Sequence, residues 1–136
     1  LVAYQEGESS LGYACDCLME CDNNGTNNAA TPVAHPTIAN ATLIGNGGDA
    51  QGVRLRAGTQ VELYNTIITG KGKPLTVETN ETENALKDGT SKLEYVAISG
   101  ELSSKQGIYT NADFCSGYWQ SDKSGILMDR QICRYS

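Results

Sequence analysis

The feature that most constrains the fold of this chain is a repeat with a period of about 25 residues. Asn40-Ala-Thr-Leu-Ile-Gly45 is followed 25 positions later by Asn65-Thr-Ile-Ile-Thr-Gly70. A weaker copy, Tyr95-Val-Ala-Ile-Ser-Gly100, comes 30 positions after the second. Repeats of this length are typical of solenoids, and β-branched segments punctuated by Gly and Asn predict strands rather than helices. A fourth candidate copy, Gly107-Ile-Tyr-Thr-Asn111, is weaker still.

Between the first two copies, the side chains alternate with the period of a β-strand. Val53 and Leu55 point one way and Arg54 and Arg56 the other, and Val61-Glu-Leu-Tyr64 alternates again. One period therefore contains two or three short strands separated by tight turns. This matches one coil of a parallel β-helix, in which aliphatic side chains point inward and stack from coil to coil.

Asn40 and Asn65 occupy the same position in successive copies. Asn tolerates the left-handed backbone conformation of a corner, and stacked Asn side chains can hydrogen-bond between coils. The two residues are therefore candidates for an asparagine ladder. The alternative is an ordinary β-sandwich whose strands resemble one another by chance.

The rest of the chain is assigned around this repeat as a single solenoid domain. Residues 37–113 are expected to form the coils, with an N-terminal cap or connector over 1–36 and a C-terminal cap over 114–136. The polar stretch Val77–Thr90 interrupts the repeat and is expected to be an inserted loop with one helical turn.

Composition and charge exclude several functions. The net charge is −6 and Lys and Arg are not clustered, so nucleic acid is not an expected partner. No apolar run is long enough to span a membrane.

The chain begins at Leu1 rather than Met, which we interpret as removal of a signal peptide, a fragment of a longer protein, or both.

The cysteines form two groups near the chain ends and point to an oxidising compartment. Because there are five cysteines, at least one of them is free, metal-bound or bonded to another chain. Two of the first three could pair with each other or with the last two, and the last two could close a C-terminal loop. The disulfide candidates are Cys15, Cys17, Cys21, Cys115 and Cys133.

Two segments are candidate metal sites. Cys15-Asp-Cys-Leu-Met-Glu-Cys21, with His35 as a fourth ligand, could hold zinc, but the spacing is not C-x2-C and His35 is the only histidine. Disulfides are the expected fate of these thiols because the protein is expected to be exported. The oxygen-rich run Asp22–Asn28 has Asn27 at the sixth position, where an EF-hand loop needs Gly, and is interpreted as a polar turn. No metal or cofactor is therefore expected.

Several motifs resemble a family of exported bacterial proteins with a right-handed, pectate-lyase-like parallel β-helix and mostly without assigned function. They are Asp22–Pro32, His35–Gly45, Gly52–Thr59 and Tyr64–Gly70, so the resemblance covers about residues 20–80. It implies an all-β, right-handed parallel β-helix of about four to five coils, and members that are usually longer than this chain. The shared motifs are structural rather than catalytic.

The resemblance also suggests where a ligand would bind. Polysaccharide lyases of this architecture use carboxylates to hold Ca²⁺ and a basic group to accept a proton. Arg54 and Arg56, with Glu62 nearby, are therefore a candidate ligand face, and Glu78 is expected to lie near them in an adjacent coil. The alternative is a solvated strand face with weak ion pairs.

No catalytic residues are identified, and enzymatic activity stays an open question that leans towards none. The first functional hypothesis is a structural or adhesive protein of the extracellular space or cell surface, which associates with itself end to end or through a free cysteine. The second is a β-helix that binds or cleaves polysaccharide. The third is a small metal-binding module built on the N-terminal cysteines.

Overall fold

The described part of the chain folds into strands and three short helices. The computed structural model describes residues 1–12, 15–116, 120–121, 127–128 and 131–134, the last three ranges by their backbone only. The elements are β1 (Val2–Tyr4), α1 (Glu8–Leu11), β2 (Met19–Asp22), β3 (Thr37–Ile44), β4 (Gln51–Arg56), β5 (Glu62–Thr69), β6 (Lys73–Val77), α2 (Asn80–Asp88), β7 (Lys92–Ser99), β8 (Leu102–Ser104), α3 (Asn111–Ser116), β9 (Gln120–Ser121), β10 (Leu127–Met128) and β11 (Gln131–Arg134).

Two parallel sheets form the body of the molecule. Sheet 1 has the order β1-β3-β5-β7-β11, and sheet 2 has the order β2-β4-β6-β8. Up to β8 the chain alternates between the two sheets, so each coil contributes one strand to each. The described strands thus form four coils, with β11 adding a fifth strand to sheet 1, and confirm the parallel β-helix. β9 and β10 form a separate antiparallel pair.

The strand register follows the period of the sequence. Thr37 on β3 lies opposite Glu62 on β5, and Glu62 lies opposite Lys92 on β7. The second offset is larger because helix α2 is inserted between β6 and β7. The sequence predicts one helical turn in this insertion, whereas α2 is 9 residues long.

Inward-pointing aliphatic side chains stack along the solenoid axis and form its core. Leu43, Ile68 and Ile98 are register partners on three successive strands, and none is more than 2% exposed. Val53 and Leu55 are fully buried, as the alternation in β4 predicts. Burying a side chain of this kind stabilises the fold by about 1.5–3 kcal/mol.

The corner within each long strand of sheet 1 needs a left-handed residue. Asn40, Asn65 and Tyr95 have φ values of 56°, 46° and 57°. The next corner needs glycine, because a Cβ added to Gly70 would stand 2.4 Å from the carbonyl oxygen of Gly45 in the coil before. The periodic Asn and Gly positions are therefore fixed by local backbone geometry.

The terminal segments differ from the caps expected for them. Residues 1–36 contribute β1 and β2, which pair with β3 and β4 in parallel, so this segment forms a first coil. In the segment 114–136, β11 joins sheet 1 beside β7. The alternation of these short strands is too brief to stand out in the sequence.

The fourth candidate repeat, Gly107–Asn111, is wrong, because residues 107–110 form a loop and Asn111 begins α3, so none of them lies in a strand. The Glu83 carboxylate accepts hydrogen bonds from the backbone N–H groups of Gln106, Ile108 and Tyr109. These amides therefore cannot join a sheet. In the part of the chain that the structure describes, no helix has the length and apolar character needed to cross a membrane.

Candidate functional site

The outer face of sheet 2 carries a ladder of ion pairs. Arg54 binds Glu78 in the following coil through two hydrogen bonds, Nε–Oε1 at 3.0 Å and Nη2–Oε2 at 3.1 Å. Arg56 Nε lies 3.0 Å from Asp22 Oδ1 and 2.7 Å from Glu20 Oε1, both in the preceding coil. The hydrogen bond to Glu78 raises the pKa of Arg54.

This ladder changes the interpretation of the candidate ligand face. Glu78 lies beside Arg54, as expected, but Glu62 lies on β5 in sheet 1 and takes no part in the face. Ala57 and Gly58, both with positive φ, turn the chain away from sheet 2 between these residues. Since both guanidinium groups already bind carboxylates, an anionic ligand would have to displace them.

Glu62 is the centre of a second polar group, on the outer face of sheet 1. His35 Nε2 lies 2.8 Å from Glu62 Oε1, and the Tyr64 hydroxyl donates to Glu62 Oε2 at 2.7 Å. Tyr64 follows Glu62 by two positions on β5 and so points to the same face. His35 comes from the connector before β3, where Pro36 favours an extended backbone.

The hydrogen bonds of this group set its protonation. Those from Tyr64 and His35 lower the pKa of Glu62, and the bond to Glu62 raises the pKa of Tyr64 to about 12. Glu62 is thus a carboxylate and Tyr64 a phenol at neutral pH. Because a carboxylate only accepts hydrogen bonds, Nε2 of His35 is the nitrogen that donates to it.

The polar surface continues onto the next strand. Lys92 lies opposite Glu62, and Glu94 lies opposite Tyr64. Tyr95, at the corner of the same strand, is 45% exposed. We define the sheet 1 polar face as His35, Glu62, Tyr64, Lys92 and Glu94. Its donors and acceptors can bind hydroxyl-rich ligands, and only Glu62 and His35 stand out in the sequence. The alternation Glu62-x-Tyr64 is the signal that could have revealed Tyr64.

The two ladder candidates are in direct contact at the corner of sheet 1. Asn65 Nδ2 donates a hydrogen bond to Asn40 Oδ1. At the equivalent corner of the next coil the residue is Tyr95, so the series of Asn residues ends after two coils.

The cysteines are divided between free and bonded residues. Cys15, Cys17 and Cys21 are free thiols in the structure, so no pairing among them is formed there. Cys115 is disulfide-bonded. The side chain of Cys133 lies outside the described residues, so the predicted Cys115–Cys133 loop stays a prediction.

Three side chains near the start of β2 have the spacing of a metal site. The ligand atoms of Asp16, Cys17 and Glu20 all lie within 4.8 Å of one another. His35, the expected fourth ligand, is instead bound to Glu62. Burial, together with a hydrogen bond to Asp16, raises the pKa of Cys17 to about 11. The raised pKa favours the protonated thiol, whereas a metal ion binds the thiolate.

Comparison with known proteins gives one match. A family model described as a pectate-lyase-like beta helix domain matches residues 2–127. No curated protein sequence and no solved structure gave a significant match. The matched region contains the polar groups on both sheets and the strands from β1 to β9. The chain therefore belongs to the pectate-lyase-like beta helix family.

Proposed function

We propose that this chain is a structural segment of an extracellular or cell-surface β-solenoid that associates end to end with further coils. The observation that supports the proposal is the first coil, whose two strands each have an open edge. Among the described strands, β1 pairs only with β3 and β2 only with β4. Unpaired strand edges are templates for pairing with another chain.

The side chains of the first coil fit such an association. Leu1 and Val2 are both 72% exposed and Tyr4 is 62% exposed. Leu1 O and Gln5 N hydrogen-bond to β3, so the backbone groups of the alternate residues Val2 and Tyr4 point to the open edge. Another coil would pair with these groups and cover the apolar side chains.

The test uses the chain itself at several concentrations. Light scattering after size-exclusion chromatography and negative-stain electron microscopy should reveal oligomers or filaments, with and without reductant. Tyr4→Pro removes an N–H group from the open edge and should give monomers, whereas Tyr4→Phe keeps that group and should assemble. Dissociation by reductant would show that the thiols contribute. A monomer under every condition would overturn the proposal.

Polysaccharide binding is a second candidate, favoured by the sheet 1 polar face. His35 and Tyr64 hold the carboxylate of Glu62 in a fixed position, and about a quarter of its side chain is exposed. A fixed carboxylate beside a phenol and an imidazole can hydrogen-bond to sugar hydroxyls.

Affinity electrophoresis in gels that contain neutral or acidic polysaccharides tests this second candidate. Loss of a hydrogen bond to a charged group is worth about 1.5–3 kcal/mol, so Glu62→Gln should weaken binding about tenfold or more. Arg54→Ala, on the other sheet, is the matched control and should leave binding unchanged. Equal mobility in all gels would contradict this function.

A further inference from the structure

A buried lysine lies where two successive coils meet. Lys71, in the turn between β5 and β6, is only 4% exposed. Its side chain packs directly over Gly45 in the preceding coil. A Cβ added to Gly45 would stand 2.5 Å from Lys71 Cγ, so no side chain fits there. Lysine is almost never this buried unless it pairs with an acid. Among the described residues, none of the ion pairs involves Lys71.

The partner of Lys71 is a side-chain amide. Lys71 Nζ lies 2.7 Å from Asn46 Oδ1, and Asn46 occupies the equivalent position one coil earlier. Asn46 Nδ2 donates to the backbone oxygen of Glu6 at 3.1 Å, which orients the carbonyl oxygen towards the lysine. Because a C=O bond is about 1.2 Å long, Asn46 Cγ lies within about 4 Å of Nζ, close to the separation of reacting atoms.

A carboxylate lies beside this pair. The point at which a Cβ on Gly48 would stand is 3.3 Å from Glu8 Oε1, 3.7 Å from Asn46 Oδ1 and 3.7 Å from Lys71 Nζ. Glycine at position 48 leaves this space open. Helix α1 thus places the Glu8 carboxylate beyond direct ion-pair distance of the Lys71 amine but within about 7 Å of it, across the space left by Gly48, so that one water molecule can carry a proton between them.

We propose that Lys71 and Asn46 react to form an intramolecular isopeptide bond between adjacent coils. Glu8 accepts a proton from the Lys71 ammonium through a water molecule in the space at Gly48, and the free amine attacks Asn46 Cγ. The Cγ–Nδ2 bond then breaks, and Glu8 returns the proton to the departing nitrogen. Nδ2 leaves as ammonia, which carries off the remaining proton as ammonium, so the reaction needs no oxidant or other reactant.

The reaction has a physical driving force and a structural consequence. It replaces a buried cation that has no carboxylate within ion-pair distance by a neutral amide, which removes the cost of burying the charge. It also joins two coils covalently, across the same turn that lies under α1. A cross-link of this kind restricts the unfolded chain, as a disulfide does.

Intact mass spectrometry of the full chain tests the proposal. The folded protein should weigh one ammonia molecule less than its sequence, and digestion should give one cross-linked peptide that contains residues 46 and 71. Lys71→Met should restore the full mass, and Glu8→Gln should slow the loss of ammonia. Lys105→Met, at an exposed lysine, is the matched control and should behave like the unmodified sequence.

Loss of ammonia can also occur by a route that does not involve lysine. Asn24 and Asn46 each precede glycine, and such pairs can also lose ammonia by forming a succinimide without any lysine. Loss of ammonia that persists in Lys71→Met would therefore contradict the isopeptide bond. So would a full mass in the unmodified sequence after prolonged incubation, with circular dichroism showing that it is folded.

Discussion

Glu83 and Glu78 are carboxylates five positions apart, yet they differ in burial and in the groups that they bind. Glu83, on the inserted helix α2, is fully buried and accepts hydrogen bonds from three backbone amides and the Ser104 hydroxyl. Glu78, on the outer face of sheet 2, is partly exposed, and its carboxylate binds Arg54. The buried Glu83 carboxylate therefore fixes the backbone of the loop before α3. The partly exposed Glu78 carboxylate only links two coils that the core already holds in register.

The largest effect should follow removal of the buried carboxylate. Glu83→Ala leaves buried backbone donors without an acceptor, and we expect a loss of roughly 3 kcal/mol in the free energy of unfolding. Urea denaturation followed by circular dichroism measures it. Glu81→Ala, on the exposed side of the same helix, is the control and should change stability little. Equal losses of stability in Glu83→Ala and Glu81→Ala would contradict the special role of the buried carboxylate.

The same carboxylate should make stability depend on acid. Burial alone would raise the pKa of Glu83, but its hydrogen bonds from Gln106, Ser104, Tyr109 and Ile108 hold the pKa below its ordinary value of 4.5. The unfolded chain therefore binds the proton first, so the contribution to stability is present above the unfolded pKa and is lost as pH falls through the folded pKa.

Unfolding measurements from pH 7 to pH 3 check this dependence. Stability should decrease below about pH 4.5 in the unmodified protein, with a shallower decrease in Glu83→Gln, which cannot titrate at this position. An identical slope in the two proteins would show that other groups cause the acid effect.

A smaller effect is expected on the outer face of sheet 2. Arg54→Ala breaks the two hydrogen bonds to Glu78, and because these side chains are partly exposed, we expect a loss of about 1 kcal/mol or less. Arg56→Ala should cost less still, since the Arg56 side chain is 39% exposed against 23% for Arg54. Raising the salt concentration should reduce both differences. A loss as large as that of Glu83→Ala would remove the distinction.

The smallest change should be a gain, at the corner of sheet 1. Tyr95→Asn places a residue that tolerates the left-handed conformation beside Asn65, with which it can extend the ladder. We expect about 0.5 kcal/mol of added stability, measured by thermal unfolding. Tyr95→Ala is the control, because it removes the aromatic ring without supplying either advantage. A destabilised Tyr95→Asn variant would mean that the tyrosine ring contributes packing that outweighs the strain.

The repeat alone predicts the coil: its period, its inward and outward faces, and its Asn and Gly corners. These follow from strand alternation and from the backbone preferences of single residues, so the pattern alone is enough to assign Val53 to the core, Arg54 to the outer face and Asn65 to a corner. Because the period is 25, the sequence also implies that position 71 stacks on position 46.

Which polar groups meet, and how deeply they are buried, depends on the folded arrangement of the coils and their insertions. His35 reaches Glu62 from a connector, α1 brings Glu8 to Lys71 and Asn46, and Glu83 binds the loop before α3. Each of these contacts involves a segment outside the repeat, namely a connector, α1 or the inserted helix α2, so the periodic pattern does not predict it. Their positions depend on where insertions and terminal segments pack on the finished coils, which is a property of the assembled surface rather than of any local stretch of chain.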